Sequence, residues 1–341
     1  MRFNKNFMVL VSTLTFTCAG SAYSSEDEVS EAPTGTNSLE INKQVDLNQY
    51  TLSTGGTKVA FVGDTGYGNG FQRVLSLIKA EGASLTLLLG DTSYSSDGDV
   101  AWDAMVRNTL GSSDPVLLAI GNHEIEDSNF SIVVGLAQKR LNKQSAVKCS
   151  SKYPTSTFSS SGMACQLNNV YFAISNVGTL GSISGQESSL ARNLNMAPAG
   201  AWRICAWHKN QKDMQVGGKT NETGWPSYEV CRQNGAIIAT AHEHSYSRTH
   251  LLSSMRNKIV ADNSSPYTVI EGRTLAFVSG LGGQPPRDQE SGGAWWAKIY
   301  TATQGAKNGV LFGTFYKEYA DFYFKNVGGQ IIERFTVNKG Y

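Results

Sequence analysis

The chain has 341 residues, 29 Lys and Arg against 28 Asp and Glu, a formal net charge of +1, and 40% hydrophobic residues. That length holds one large domain or two smaller ones with a substantial core. The balanced charge argues against a general nucleic-acid binder, which would show a basic stripe or tail.

Residues 1–22 read as a secretory signal peptide. Arg2 and Lys5 make a positive start, residues 7–16 form an apolar run too short to span a bilayer, and Gly20, Ser21 and Ala22 offer a small-residue cleavage site. A secreted or periplasmic location follows, with lipid anchoring through Cys18 as the alternative. No later stretch is long and apolar enough for a transmembrane helix. Residues 23–56 read as a polar linker rich in Ser, Thr, Glu and Asn, in which Glu26, Asp27 and Glu28 form a short solvated acidic cluster.

From residue 57 the rhythm changes. Short apolar runs at 58–62, 85–89, 115–120, 203–207 and 236–240 end in polar residues. Between the first two, Phe71, Val74, Leu75 and Ile78 recur at helical spacing. Strands buried on both faces and joined by helices imply an α/β sheet. Residues 274–278, 309–316, 321–327 and 331–337 read as successive strands of a second, largely antiparallel sheet. Four cysteines follow the signal. Cys149 and Cys165 are close in sequence, which predicts a local loop staple. Cys205, within an apolar strand, is either a buried free thiol or a partner of Cys231.

Each apolar run of the first set is followed at once by residues that bind metals or handle protons. They are Asp64; Asp91 and Tyr94; Asn122, His123 and Glu124; His208; and His242 and His244. Ligands of α/β sheets bind at the carboxyl ends of strands, so these five ends would converge on one site. A lone His after a strand is usually structural. Here four of the five histidines in the chain take that position, which outweighs the structural reading. Carboxylate, imidazole and amide oxygen suit Fe, Mn or Zn, and no paired thiolates suggest a Cys-type zinc site. Two such ions about 3.5 Å apart would activate a bridging hydroxide and clamp substrate oxygens for in-line displacement, with a carboxylate bridging the ions.

The five blocks resemble the calcineurin-like metallophosphoesterase superfamily and, within it, the purple acid phosphatases. That pattern is Asp-x-Gly, Gly-Asp-x-x-Tyr, Gly-Asn-His-Glu/Asp, Val-x-x-His and Gly-His-x-His, and the resemblance spans residues 64–244. Most other members carry Asp-x-His first and Asp in place of the tyrosine, so Gly66 and Tyr94 point to the purple type. The implied fold is a two-sheet α/β/β/α sandwich of mixed sheets flanked by helices, with 57–341 as the catalytic domain. The resemblance also implies roles. Asp64, Tyr94 and His244 would hold a first metal, Fe(III) in that family. Asn122, His208 and His242 would hold a second, Zn, Mn or Fe, and Asp91 would bridge the two. His123 would be the general acid toward a bridging hydroxide nucleophile, and Glu124 would orient His123 or a ligand.

Two departures stand out: Cys205 replaces a valine, and Ala241 replaces a glycine, which matters only where a positive φ is required. Lys209 and Arg248 follow the last two blocks and would be solvated loop residues or contacts to phosphate oxygens. Asp97 and Asp99 read as loop caps, His250 as structural, and the glycine run 280–283 as a tight turn near the site. The expected activity is phosphomonoester hydrolysis on a small-molecule substrate. The alternatives are a phosphodiesterase acting on nucleotides or lipid head groups, a plain zinc or manganese enzyme in which Tyr94 is only hydrogen-bonded, and a non-catalytic binding protein on the same scaffold.

Overall fold

The computed structural model describes residues 55–341 except 97, 127–129 and 160. The signal peptide, Cys18, the linker up to residue 54 and the cap expected of Asp97 lie outside the described residues.

The first β-strand, β1 (Thr57–Val62), is buried along nearly its whole length, as a strand covered on both faces must be. Helix α1 (Asn69–Glu81) follows and buries the predicted stripe of Phe71, Val74, Leu75 and Ile78. Strand β2 (Leu85–Leu88), helix α2 (Gly98–Thr109) and strand β3 (Val116–Leu118) repeat the unit, and β1, β2 and β3 pair in parallel. Two helices, α3 (His123–Glu126) and α4 (Phe130–Leu141), lead to β4 (Lys148–Cys149), β5 (Met163–Leu167) and β6 (Val170–Ile174). Then come α5 (Gln186–Asn195), β7 (Trp202–Ala206), α6 (Pro226–Gln233), β8 (Ile237–Thr240) and β9 (Tyr246–Thr249). The remaining strands are β10 (Leu251–Ser254), β11 (Ile259–Asp262), β12 (Tyr267–Val269), β13 (Ala276–Ser279), β14 (Trp296–Tyr300), β15 (Gly309–Phe315), β16 (Tyr319–Asn326) and β17 (Ile331–Lys339).

These strands form two large mixed sheets, ordered β12-β17-β16-β15-β1-β2-β3 and β14-β9-β13-β8-β7-β6-β5-β4, beside a small β10-β11 ribbon. The large sheets face each other. Phe61 of β1 meets Phe277 of β13 edge-on with ring centroids 5.3 Å apart, and Phe315 of β15 meets Trp202 of β7 at 5.5 Å. Such pairs contribute about 0.5–1.5 kcal/mol each beyond their buried area. Helices α1, α2 and α4 accompany the first sheet, and α5 and α6 pack on the second. This is the expected α/β/β/α sandwich.

The sheet membership of the C-terminal strands differs from the sequence expectation. Strands β15, β16 and β17 do not build a separate sheet. They extend the first one, β15 pairing antiparallel with β1 from Thr57↔Phe315 to Phe61↔Leu311. Strand β13 instead enters the second sheet, parallel to β8. Likewise, the five runs expected in a single sheet divide between the two, with β7 and β8 in the second. An apolar run shows that a strand is buried, but not which free edge it will occupy. Strand β6, fully buried between β5 and β7, was not among the expected runs.

Cys149 and Cys165 are disulfide-bonded across β4 and β5, as expected. Cys205 is bonded to Cys231, which joins β7 to α6 and settles the choice between thiol and bridge. Closing loops of 16 and 26 residues stabilises the fold by about 3 kcal/mol each in the chain-entropy account. Among the described residues no helix is long and apolar enough to cross a membrane.

Candidate metal centre

Strand ends of both sheets deliver the polar residues to one place. Asp64 follows β1, Asp91 and Tyr94 follow β2, Asn122 and His123 follow β3, His208 follows β7, and His242 and His244 follow β8. Asp64, Asp91 and His242 hold left-handed backbone, with φ of 56°, 56° and 68°. Non-glycine residues adopt that region at a cost, and such strain gathers where a side chain must be aimed. Ala241 is not left-handed; the demand falls one residue later, on His242.

One ligand atom each of Asp64, Asp91, His208 and His242 lies within 4.8 Å of the others, all four residues being buried. Asp91 Oδ2 is 3.1 Å from His208 Nε2 and 3.4 Å from the Tyr94 hydroxyl, so it stands between two subsets. On one side, Tyr94 Oη is 3.3 Å from Asp64 Oδ1 and 3.3 Å from His244 Nε2. On the other, His208 Nε2 is 3.0 Å from His242 Nδ1. Among the described residues Asn122 Oδ1 is buried with no hydrogen-bond partner, while its Nδ2 donates to Glu126 at 3.0 Å. His123 lies outside this cluster, its ring 4.1 Å from that of Tyr94.

Each imidazole of the cluster is anchored by its other nitrogen. His208 Nδ1 donates to Leu89 O at 2.7 Å, His242 Nε2 to Glu222 Oε2 at 2.7 Å, and His244 Nδ1 to Pro285 O at 3.2 Å. These partners hold one proton on the outer nitrogen of each ring and turn His208 Nε2, His242 Nδ1 and His244 Nε2 into the cluster, where a metal ion would take their lone pairs. Three aimed imidazoles, two carboxylates and one orphaned amide oxygen fit metal ions of the N/O-binding type.

Backbone packing keeps the ends in register. The buried Glu124 carboxylate accepts from Asp91 N at 3.0 Å, Thr92 N at 2.6 Å, Thr92 Oγ1 at 2.8 Å and Gly121 N at 2.5 Å. It therefore positions the backbone of Asp91. Gly121 is required here, because a Cβ would lie 2.2 Å from Asp91 Oδ1. Gly280 similarly leaves room for the carbonyl of Glu243, 2.1 Å from any Cβ, so the glycine run does turn tightly beside the site.

The calcineurin-like phosphoesterase family model matches residues 57–246, more than half of the chain. The chain belongs to the calcineurin-like phosphoesterase family. Its fold is similar to that of a purple acid phosphatase from yellow lupin (Lupinus luteus) seeds, with 18% identity, a TM-score of 0.66, and coverage of 86% of this chain and 55% of that one. The chain thus spans about half the length of the lupin protein. It is also similar to GAP50, the anchor in the inner membrane complex of Plasmodium (12% identity, TM-score 0.56, covering 84% of this chain and 90% of that one). A dimetal phosphatase from Danio rerio gives 10% identity and a TM-score of 0.53 over 83% of this chain and 99% of that one. At such identities the likeness is one of fold. Comparison with curated sequences gives no match.

Charge at this centre follows from burial and proximity. Burial pushes the Asp64 carboxyl up, but the imidazoles of His244 and His208 outweigh it and the net direction is down. Asp91 is likewise held down against burial, by His208 and the His123 backbone N–H. For His208, burial opposes charge, yet Asp91 and then Asp64 raise it to about 9. Burial lowers His242 to about 4, against the pull of Glu222. Burial pushes the Tyr94 phenol far up, and Asp64 and Asp91 add to it. This concentration of negative charge is what a cation would relieve.

Three residues beside the cluster were not expected from the sequence: Glu222, Lys219 and Arg287. Lys219 Nζ is 2.9 Å from His242 Nε2, and Arg287 Nη2 is 3.3 Å from His244 Nε2. They lie in loops without a motif, and the only signal was a sparse scatter of charge after β7 and β13. Lys209 and Arg248, read from the sequence as solvated loop residues or contacts to phosphate oxygens, are both engaged by carboxylates of the chain. Arg248 is buried on Glu333 at 2.5 Å and stacks over Phe335, and Lys209 pairs with Glu222 at 2.7 Å. His250 is structural, with Nδ1 3.3 Å from the Tyr267 hydroxyl.

Proposed function

We propose that the protein is a phosphoric ester hydrolase, acting on small phosphomonoesters at a binuclear metal centre. The observation that carries this reading is the set of three imidazoles, each anchored through one nitrogen and turned by the other into the cluster around Asp64 and Asp91. Asp64, Tyr94 and His244 would hold one ion, Fe in the purple type. Asn122, His208 and His242 would hold the other, Zn, Mn or Fe, and Asp91 would serve both. Bound there, the pair supplies Lewis-acid polarisation of phosphoryl oxygens and acidifies water enough to yield a nucleophile near neutral pH.

The chain's own residues do the rest. Asp91 Oδ1 accepts the His123 backbone N–H at 3.0 Å, which ties the general acid to the bridging carboxylate. From beside Tyr94, the His123 imidazole gives its proton to the departing ester oxygen. The Tyr94 phenol, whose proton burial and the carboxylates hold tightly, would surrender it only to a strongly acidic cation. Visible absorption therefore separates an iron centre bound by Tyr94 from a zinc or manganese centre with Tyr94 merely hydrogen-bonded.

The catalytic unit would span 57–341 behind a cleaved signal at 1–22 and a linker at 23–56. Its two disulfides support a secreted or periplasmic setting, where such bonds persist. GAP50 shares the fold and is described as an anchor. The intact donor set favours hydrolysis over a scaffold role here. The test is metal content per chain in protein purified without chelators, together with turnover of p-nitrophenyl phosphate. About two metals per chain with turnover is the expected result. No metal taken up from added Fe, Zn or Mn would overturn the proposal.

A further inference from the structure

Lys219 and Arg287 reach the centre from separate loops, one between β7 and α6 and the other between β13 and β14. Lys219 Nζ lies 2.9 Å from His242 Nε2 and 3.4 Å from Nδ1; Arg287 Nη2 lies 3.3 Å from His244 Nε2. Neither imidazole is a lasting acceptor for these cations. The His242 Nε2 proton is directed at Glu222 and its Nδ1 faces His208. His244 Nδ1 is engaged by Pro285 O, and its Nε2 faces Tyr94 and Asp64. His242 Nε2 already gives its proton to Glu222, and a metal ion would take the lone pairs of His242 Nδ1 and His244 Nε2, so neither ring can accept from the two cations in the loaded centre.

The protein offers them little else. Among the described residues Lys219 has no anion within ion-pairing distance, the carboxylates of Asp64, Glu243 and Glu222 acting on it only from farther off, and Arg287 has only Glu243, at 3.5 Å. Both loops are nonetheless held in place. The Lys219 carbonyl accepts from Gln215 Nε2 at 3.0 Å, and Arg287 N donates to His244 O at 3.0 Å. Arg287 Nη1 also donates to His242 O at 3.3 Å. Cations held at the edge of a site cost less to order around a ligand than free ones.

We propose that Lys219 and Arg287 bind the non-esterified oxygens of a phosphomonoester dianion and make this centre favour monoesters over diesters. The inference rests on the hydrolase reading above. A monoester presents three terminal oxygens and two negative charges, which match an ammonium and a guanidinium fork beyond the metals. A diester has one charge fewer, and its second substituent would lie against a half-buried ammonium, which must then lose solvation without an anion in return.

The test compares wild type with Lys219→Gln and Arg287→Gln, on different loops, by three readouts. These are metal per chain, affinity for inorganic phosphate by calorimetry, and kcat/KM for p-nitrophenyl phosphate against bis(p-nitrophenyl) phosphate. Each variant is expected to keep its metal and lose about 10- to 100-fold in phosphate affinity and monoester kcat/KM, the range for a hydrogen bond to a charged group. Diester kcat/KM should fall much less. An equal fall for both esters, or unchanged phosphate affinity in both variants, would overturn the proposal. If metal-loaded wild type turns over neither ester, the hydrolase reading fails by itself, and phosphate affinity still decides the role of the two cations.

Discussion

Glu222 Oε2 lies 2.7 Å from His242 Nε2, so a carboxylate from a loop 20 residues away in sequence sets which nitrogen of that ring faces the centre. Its other oxygen takes the Lys209 ammonium at 2.7 Å. Burial would raise the Glu222 carboxyl, but His242 and Lys209 hold it down to about 2. The group is therefore an anion across the working pH range and a constant partner for the imidazole.

Replacing it tests that support. Glu222→Gln is expected to weaken Zn binding about 10- to 100-fold, as for other residues that orient a metal-binding imidazole. Competition with a chromophoric chelator measures this, and unchanged affinity would remove Glu222 from the centre.

Glu124 has a different task, since it holds backbone rather than a ring. Glu124→Ala leaves the N–H groups of Asp91, Thr92 and Gly121 and the Thr92 hydroxyl without their acceptor in a buried place. At about 1–3 kcal/mol for each unsatisfied group, less whatever relaxation recovers, a loss of about 3–5 kcal/mol is expected. Urea unfolding of the metal-free protein reads it directly, and a loss below about 1 kcal/mol would show that water replaces the carboxylate.

The centre and the proton donor should separate by mutation. Asp91→Asn is expected to lose metal and turnover together. His123→Ala should keep its metal and lose about 10²- to 10⁴-fold in turnover, the usual contribution of a general acid. An alkyl phosphate, with its poor leaving group, is the substrate to use. Wild-type rates in His123→Ala would end the acid assignment.

A pH-dependent prediction comes from outside the site. Glu81, at the end of α1, pairs with Lys325 at 2.6 Å and takes the Tyr323 hydroxyl. Burial raises its carboxyl, but these partners outweigh burial and the folded pKa lies below the ordinary 4.5. A depressed folded pKa gives stability that is fully present above the unfolded value and is lost as pH falls through the folded one. Glu81→Gln should therefore be about 1 kcal/mol less stable at pH 7, with the gap to wild type closing below about pH 4. A gap that stays constant into acid would show that the charge of Glu81 contributes nothing.

The α/β class, the family resemblance and the candidate donors were all legible along the chain. The reason is local: each strand run passes directly into its Asp, Asn, Tyr or His, so burial pattern and chemistry are written side by side. The tertiary structure decided how those ends meet. It split the five strands between two facing sheets, placed β15 against the free edge of β1, and joined Cys205 to Cys231. It also brought in Glu222, Lys219 and Arg287, and turned Arg248 away onto Glu333. Edge pairing and loop approach depend on which surfaces remain open once the core has formed, and periodicity along the chain carries no record of that.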